Sequence, residues 1–175
     1  MDAPAMIRAL IDHNEWASTR LLASASALDD ETLQQPVVGA GHGSIWGQLR
    51  HIAQTQIGWQ LGLTGQADSP ERAQALMSSR FDFDSRPGLW RAIETSCGDW
   101  RDFGRILSAE ALQQPFLPQR LGGLTVGDVL LHVLGHSTHH RGETAAFLSA
   151  HGHSPGDLDY LFFALERQGA TGPRG

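Results

Sequence analysis

The 175-residue sequence predicts an all-α protein: a four-helix bundle made of two repeated helix pairs, with a short C-terminal helix. Three observations predict it. Apolar residues recur at spacings of three and four along four long segments, which places them on one face of a helix. No segment alternates cleanly with a period of two, as a half-buried strand does. Two stretches of the first half also return in the second. "LDDETLQQPV" (28–37) is matched by "LSAEALQQPF" (107–116) at an offset of 79, and "SIWGQLRHI" (44–52) by "TVGDVLLHV" (125–133) at an offset of 81. Two matches at nearly one offset describe a duplicated unit of about eighty residues, each a helix, a turn, a loop and a helix.

The first helix is expected over residues 4–27, where Met6, Ile7, Leu10, Ile11, Ala17, Leu21 and Leu28 lie close to one stripe. The second starts after Ser44, a good N-cap because its hydroxyl can accept from a free amide of the first turn. It carries Ile45, Leu49, Ile52, Trp59 and Leu63 before Gly65. Residues 66–86 are less regular, with a short helix expected in "ERAQALMSS" (71–79). The third long helix follows Pro87 and carries Leu89, Ile93, Cys97, Trp100, Phe103 and Leu107. The fourth starts after Thr125, whose Asp128 three residues on approximates a capping box, and stops at Gly152, a natural helix-terminating residue. "DLDYLFFALERQ" (157–168) is the short fifth helix. Residues 1–168 form one domain, and 169–175, rich in Gly, a flexible tail.

Composition narrows the function. A hydrophobic share of 41%, with five Trp and seven Phe, is that of a globular chain with a full core rather than a disordered one. A net charge of −6 and the lack of a basic stripe argue against a nucleic-acid partner. No run of about 18 apolar residues exists to span a membrane. The early acids and the lack of a long apolar run at the N-terminus are unlike a signal peptide. Cys97 is the only cysteine, so no intrachain disulfide forms, and a reducing cytoplasmic location is expected.

The chemistry concentrates in "LLHVLGHSTHHRGE" (130–143), which holds four of the nine histidines, at 132, 136, 139 and 140. At about 100° per residue all four fall within an arc of about 100°, which overlaps the apolar face carried by Val129 and Val133. Imidazoles directed into a bundle need partners. Helical metal pairs favour the i, i+4 spacing, which stacks side chains one turn apart. Two such pairs exist, 132/136 and 136/140, and His51 on the second helix is the candidate third ligand. Three His ligands and an open position suit a catalytic divalent metal site, and imidazole accommodates Zn, Ni, Fe or Cu. Without the Glu of H-E-x-x-H the motif does not read as a zinc peptidase. Ser137 lies mid-helix with no nucleophile elbow, and Cys97 sits on an apolar stripe as a core residue. His13, His42, His151 and His153, at helix starts, loops or ends, are expected to be solvent-exposed.

The chain resembles the DinB/YfiT-like four-helix-bundle proteins over residues 5–165. The resemblance rests on "DHNEWASTRLL" (12–22), "HGSIWGQLRHIAQTQIGW" (42–59) and "LTVGDVLLHVLGHSTHHRGETAAFLSAHG" (124–152), with "HSTHHRG" (136–142) the most specific part. It implies an up-down-down-up bundle and a divalent metal ion, zinc or nickel, held by His51, His136 and His140, with His132 and His139 as neighbours. It also implies a homodimer and, from several related branches, activation of a low-molecular-weight thiol for transfer or isomerisation. Two positions depart from the family pattern: Gly135 stands where Asn is common, and Glu143 where Gln or a similar residue is common. Both bear on the pocket lining rather than on the ligands.

The repeat adds a partial check. His51 and His132 are equivalent positions, so in an antiparallel pair of helices His51 faces later residues than His132; the bundle that the resemblance implies makes them antiparallel, which favours 136 and 140. Thr55 and Trp59 replace His136 and His140 in the first unit, so a single metal site is expected. Arg141 is read first as a salt-bridge or helix-end residue, and second as an anion anchor or dimer contact. The expected function is a metal-dependent enzyme acting on a small-molecule substrate, a thiol S-transferase or a hydrolase using activated water. The alternative is a non-catalytic metal-binding stress-response protein. No catalytic acid or base is identified.

Overall fold

The structure, a computed structural model, describes residues 1–169, apart from the side chains of residues 118 and 119. Except for Gly169, the predicted tail lies outside the described residues. Four long helices build the body: α1 (Ala3–Ala25), α3 (Ile45–Leu63), α5 (Arg86–Arg105) and α8 (Val126–Ala150). Shorter helices lie between and after them: α2 (Asp30–Gln34), α4 (Pro70–Arg80), α6 (Ala109–Leu112), α7 (Pro118–Leu121) and α9 (Tyr160–Arg167). Among the described residues there is no β-strand, and no helix is long and apolar enough to cross a membrane.

The duplication is visible at its caps. Asp29 and Ser108, equivalent in the repeat, each cap a short helix by accepting from the amide two places inside it, Thr32 and Ala111. Each short helix then drives one leucine into the core, Leu33 and Leu112. Ser44 and Thr125 cap the long helices that follow, and Thr125 with Asp128 closes the full capping box. Such a cap satisfies amides that have no partner within the helix, and is worth about 1 kcal/mol. At the far end of α8, Gly152 takes a φ of +80°, a left-handed conformation that stops the helix. The units differ in their connections. α7 occupies the segment before α8, whereas residues 35–44 before α3 form a helix-free loop.

Contacts between the long helices define the topology. α1 runs antiparallel to α5, with Glu15 paired to Arg101 at 2.5 Å and Ser26 accepting from Trp90 at 2.9 Å. α3 runs antiparallel to α8, since Gln48 reaches Glu143, Gln56 reaches Ser137 and Trp59 meets His132. α3 and α5 are parallel, as Trp46–Trp90 and Gln56–Ser96 show, and α1 and α8 are parallel. This is the up-down-down-up bundle.

The core has two apolar clusters. One gathers Leu21, Leu33, Leu49, Leu89 and Leu148, and the other Ile7, Ile11, Trp100, Leu130 and Val133. On α1 and α8 a polar belt separates them: Asn14 and Ser18 on one helix, Ser137, Arg141 and Thr144 on the other, all buried. Met6, expected on the α1 stripe, is 54% exposed and stands outside it.

Candidate metal centre

α3 and α8 bring the histidines together. Because the two helices are antiparallel, His51, near the start of α3, sits beside the middle of α8 rather than beside its repeat partner His132. His51 Nε2 lies 3.0 Å from His136 Nε2. The ring centroids are 4.9 Å apart for His51–His136, 4.6 Å for His51–His140 and 4.4 Å for His136–His140. The planes are steeply inclined, at 53°, 81° and 61° respectively.

A fourth ring joins them. His42, in the loop before α3, stacks on His51 with centroids 3.6 Å apart and planes 19° apart. One ring nitrogen each of His42, His51 and His140 lies within 4.8 Å of the others. The sequence reading placed His42 in solvent. It stays partly exposed, but the loop turns it toward α3: Gly43 has a φ of +79°, its carbonyl accepts from Val37, and the chain enters α3 with His42 over the first turn. No periodicity marks such a loop residue.

The hydrogen bonds around His140 assign its tautomer. Nδ1 lies 2.8 Å from a Glu143 carboxylate oxygen and 3.1 Å from the Gln48 carbonyl oxygen. Both atoms accept, so Nδ1 carries the proton and Nε2 keeps its lone pair. Gln48, fully buried, also donates to Glu143 at 2.9 Å, which closes a small ring of three side chains. Burial would raise the Glu143 carboxyl, but hydrogen bonds from His140 and Gln48 and the nearby His139 hold it below its usual value. Sequence reasoning left Glu143 without a role and missed Gln48. A polar residue on an otherwise apolar face, one turn before His51, was the available signal.

His51 and His136 are held neutral. Burial is the main cause for each, with neighbouring histidines adding to it, and both are lowered to about 4. Among the described residues His136 Nδ1 is buried without a hydrogen-bond partner, while its Nε2 faces another imidazole nitrogen. That donor set fits a divalent cation. Two nitrogens bound at about 2.0–2.1 Å in a tetrahedral arrangement stand roughly 3.3 Å apart, close to the 3.0 Å found. The other two histidines of α8 stand apart from this group. His132 is exposed and packs edge-on against Trp59, and His139 is 66% exposed beside Glu143.

Three further expectations resolve differently from the sequence reading. His13 is buried, its Nε2–H donating to the Leu158 carbonyl at 2.7 Å among Trp16, Tyr160 and Phe163. α9, which supplies the last two rings, starts at Tyr160, not at residue 157. Arg141 makes no salt bridge among the described residues. It is 2% exposed and donates to Asn14 and to Thr138. Cys97 is a buried core residue as expected, and Ser137, mid-helix as expected, is buried too and accepts from Gln56.

Fold and site together define an antiparallel-paired helical bundle with a histidine-lined candidate metal centre between its second and fourth long helices. The chain belongs to the DinB family, whose profile matches residues 1–170. No curated protein and no solved structure matches it.

Proposed function

We propose that the protein holds one divalent metal ion, zinc or nickel, through His51, His136 and His140, and uses it on a low-molecular-weight thiol or on water. The observation that carries this reading is the 3.0 Å approach of the His51 and His136 Nε2 atoms beside a third imidazole whose Nε2 is left free. Ring orientation favours this set over one containing His42. An imidazole lone pair lies in the ring plane. The nearly parallel stack of His42 on His51 keeps their two lone pairs in separate planes, an obstacle that the inclined planes of His51, His136 and His140 do not impose, although the trio whose ring nitrogens all lie within 4.8 Å of one another is His42, His51 and His140.

A divalent ion there supplies Lewis acidity, favouring the deprotonated form of a small thiol or of water. The chain's own residues prepare the place for it. Burial keeps His51 and His136 unprotonated at neutral pH, so their lone pairs are available. Glu143 and Gln48 hold His140 in one tautomer and one orientation, as a carboxylate behind a ligating histidine does. Three neutral ligands leave the positive charge of the ion uncompensated and positions open to a substrate. On this reading the protein is a thiol S-transferase or a hydrolase, cytoplasmic and homodimeric, with a small-molecule substrate and neither a nucleic-acid nor a membrane partner.

A second reading has its own observation. Ring nitrogens of His42, His51 and His140 lie within 4.8 Å of one another, and His42 as a fourth ligand would close the site. A closed site belongs to a non-catalytic metal-binding protein, with a role in stress response. X-ray absorption on zinc-loaded protein separates the two readings. Three imidazoles and an exchangeable light atom support the enzyme; four imidazoles support the closed site. Turnover is tested by screening small thiols against alkylating electrophiles with zinc- or nickel-loaded wild type and with H51A. Transfer by the wild type alone is expected, and equal rates for both would remove the metal centre from the reaction.

A further inference from the structure

Arg141 is the one guanidinium in the polar belt of the core, and its charge is not balanced there. It is 2% exposed, and its two hydrogen-bond acceptors, Asn14 and Thr138, are neutral. No carboxylate among the described residues pairs with it. Cys97 nearby does not serve, because burial pushes its thiol up to about 11 and keeps it protonated. Arginine stays charged even when buried, and buried charges in proteins are otherwise paired. A guanidinium presents five N–H donors, more than these two acceptors use.

The same residue forms part of a groove between α1 and α8. The groove has a volume of about 320 Å³ and is lined by the apolar Leu10, Leu131 and Leu134 and by the polar Asn14, Thr138 and Arg141, of which Asn14 and Arg141 are buried. Gly135 also lines it, and a Cβ at that position would meet nothing within 4 Å, so the space beside it is free. His13 borders the groove as a neutral side. Its Nε2–H is committed to Leu158, and burial, outweighing that bond, lowers its pKa below the usual value. The groove lies on the α1 side of α8, away from the histidines that face α3.

We propose that this groove binds a small monocarboxylate with an apolar tail, its carboxylate paired with Arg141 and its tail along Leu10, Leu131 and Leu134. The carboxylate supplies the missing countercharge, and a planar two-oxygen acceptor matches the fork of a guanidinium. The apolar walls favour a hydrocarbon tail over a bare inorganic anion. The inference does not depend on the metal centre.

The test is titration of the full-length protein with hexanoate, followed by calorimetry and by NMR shifts of Gly135 and Thr138. Inorganic phosphate, hexan-1-ol and hexylamine are the comparisons, each with and without EDTA. Saturable hexanoate binding is expected, unchanged by EDTA, with the alcohol and the amine silent and phosphate much weaker. R141M should weaken hexanoate roughly 10- to 100-fold, the loss typical of a charge-assisted hydrogen bond. G135L should do the same by filling the groove, and it keeps the fold because leucine is the better helix former and the space is open. The absence of saturable binding, equal binding by G135L, or binding abolished by EDTA but kept by R141M would each overturn the proposal.

Discussion

His140 donates its Nδ1–H to Glu143, one turn further along α8, across 2.8 Å. The bond leaves Nε2 of His140 as the free nitrogen, on the side of the ring away from the carboxylate. Replacing Glu143 with Gln keeps the shape but removes the charge behind the proposed ligand His140. Metal affinity should fall about 10- to 100-fold, as measured by competition with a chromophoric chelator. Gln48→Ala should act in the same direction, since Gln48 touches both His140 and Glu143.

His42 distinguishes an open centre from a closed one. Under the three-histidine reading, H42A retains one equivalent of metal and changes its affinity by less than about tenfold, far less than loss of a ligand would. Elemental analysis after dialysis checks the stoichiometry. Loss of the metal would make His42 a ligand and support the closed site.

Acid should act on the metal-free protein through His51 and His136. Both are lowered to about 4 in the folded chain, against 6.5 for the unperturbed side chain. Above that ordinary value both states are neutral and stability is unaffected. As pH falls from 6.5 toward 4 the unfolded chain takes up protons that the folded chain does not, so the folded state loses stability across that window. Urea midpoints of metal-free protein should therefore decline through this range. H51A and H136A should flatten the decline. Bound metal adds to the dependence, because a protonated imidazole cannot ligate.

Leu33 and Leu112 make the repeat testable as architecture. Each is the buried leucine of a short capped helix, at equivalent places in the two units. Leu33→Ala and Leu112→Ala should each cost about 2–5 kcal/mol in urea unfolding, the range for leucine truncation in a close-packed core. A cost below about 1 kcal/mol at either place would mean that the short helix is not seated as described.

The bundle was legible in the sequence because its determinants are local. Ser44 and Thr125 each cap a helix through their own side chain, and the apolar spacing after each gives the buried face. The gathering of His51, His136 and His140 followed from helix spacing, the repeat and the family resemblance, and the antiparallel packing of α3 on α8 brings them side by side. Residues whose position depends on a loop or on partners distant in sequence were not legible. His42 reaches the centre through a glycine turn, and Arg141 finds Asn14 across 127 positions of chain. His13 is buried by an irregular segment and by α9, which approach it only in the folded chain.

The most direct measurement of the central claim is metal stoichiometry, by elemental analysis, for five single variants purified from zinc-supplemented growth. H51A, H136A and H140A should each lose the metal. H132A and H139A, which remove exposed neighbours, should keep one equivalent. Retention of full metal by H51A, or its loss from H139A as complete as from H140A, would contradict a centre built from His51, His136 and His140.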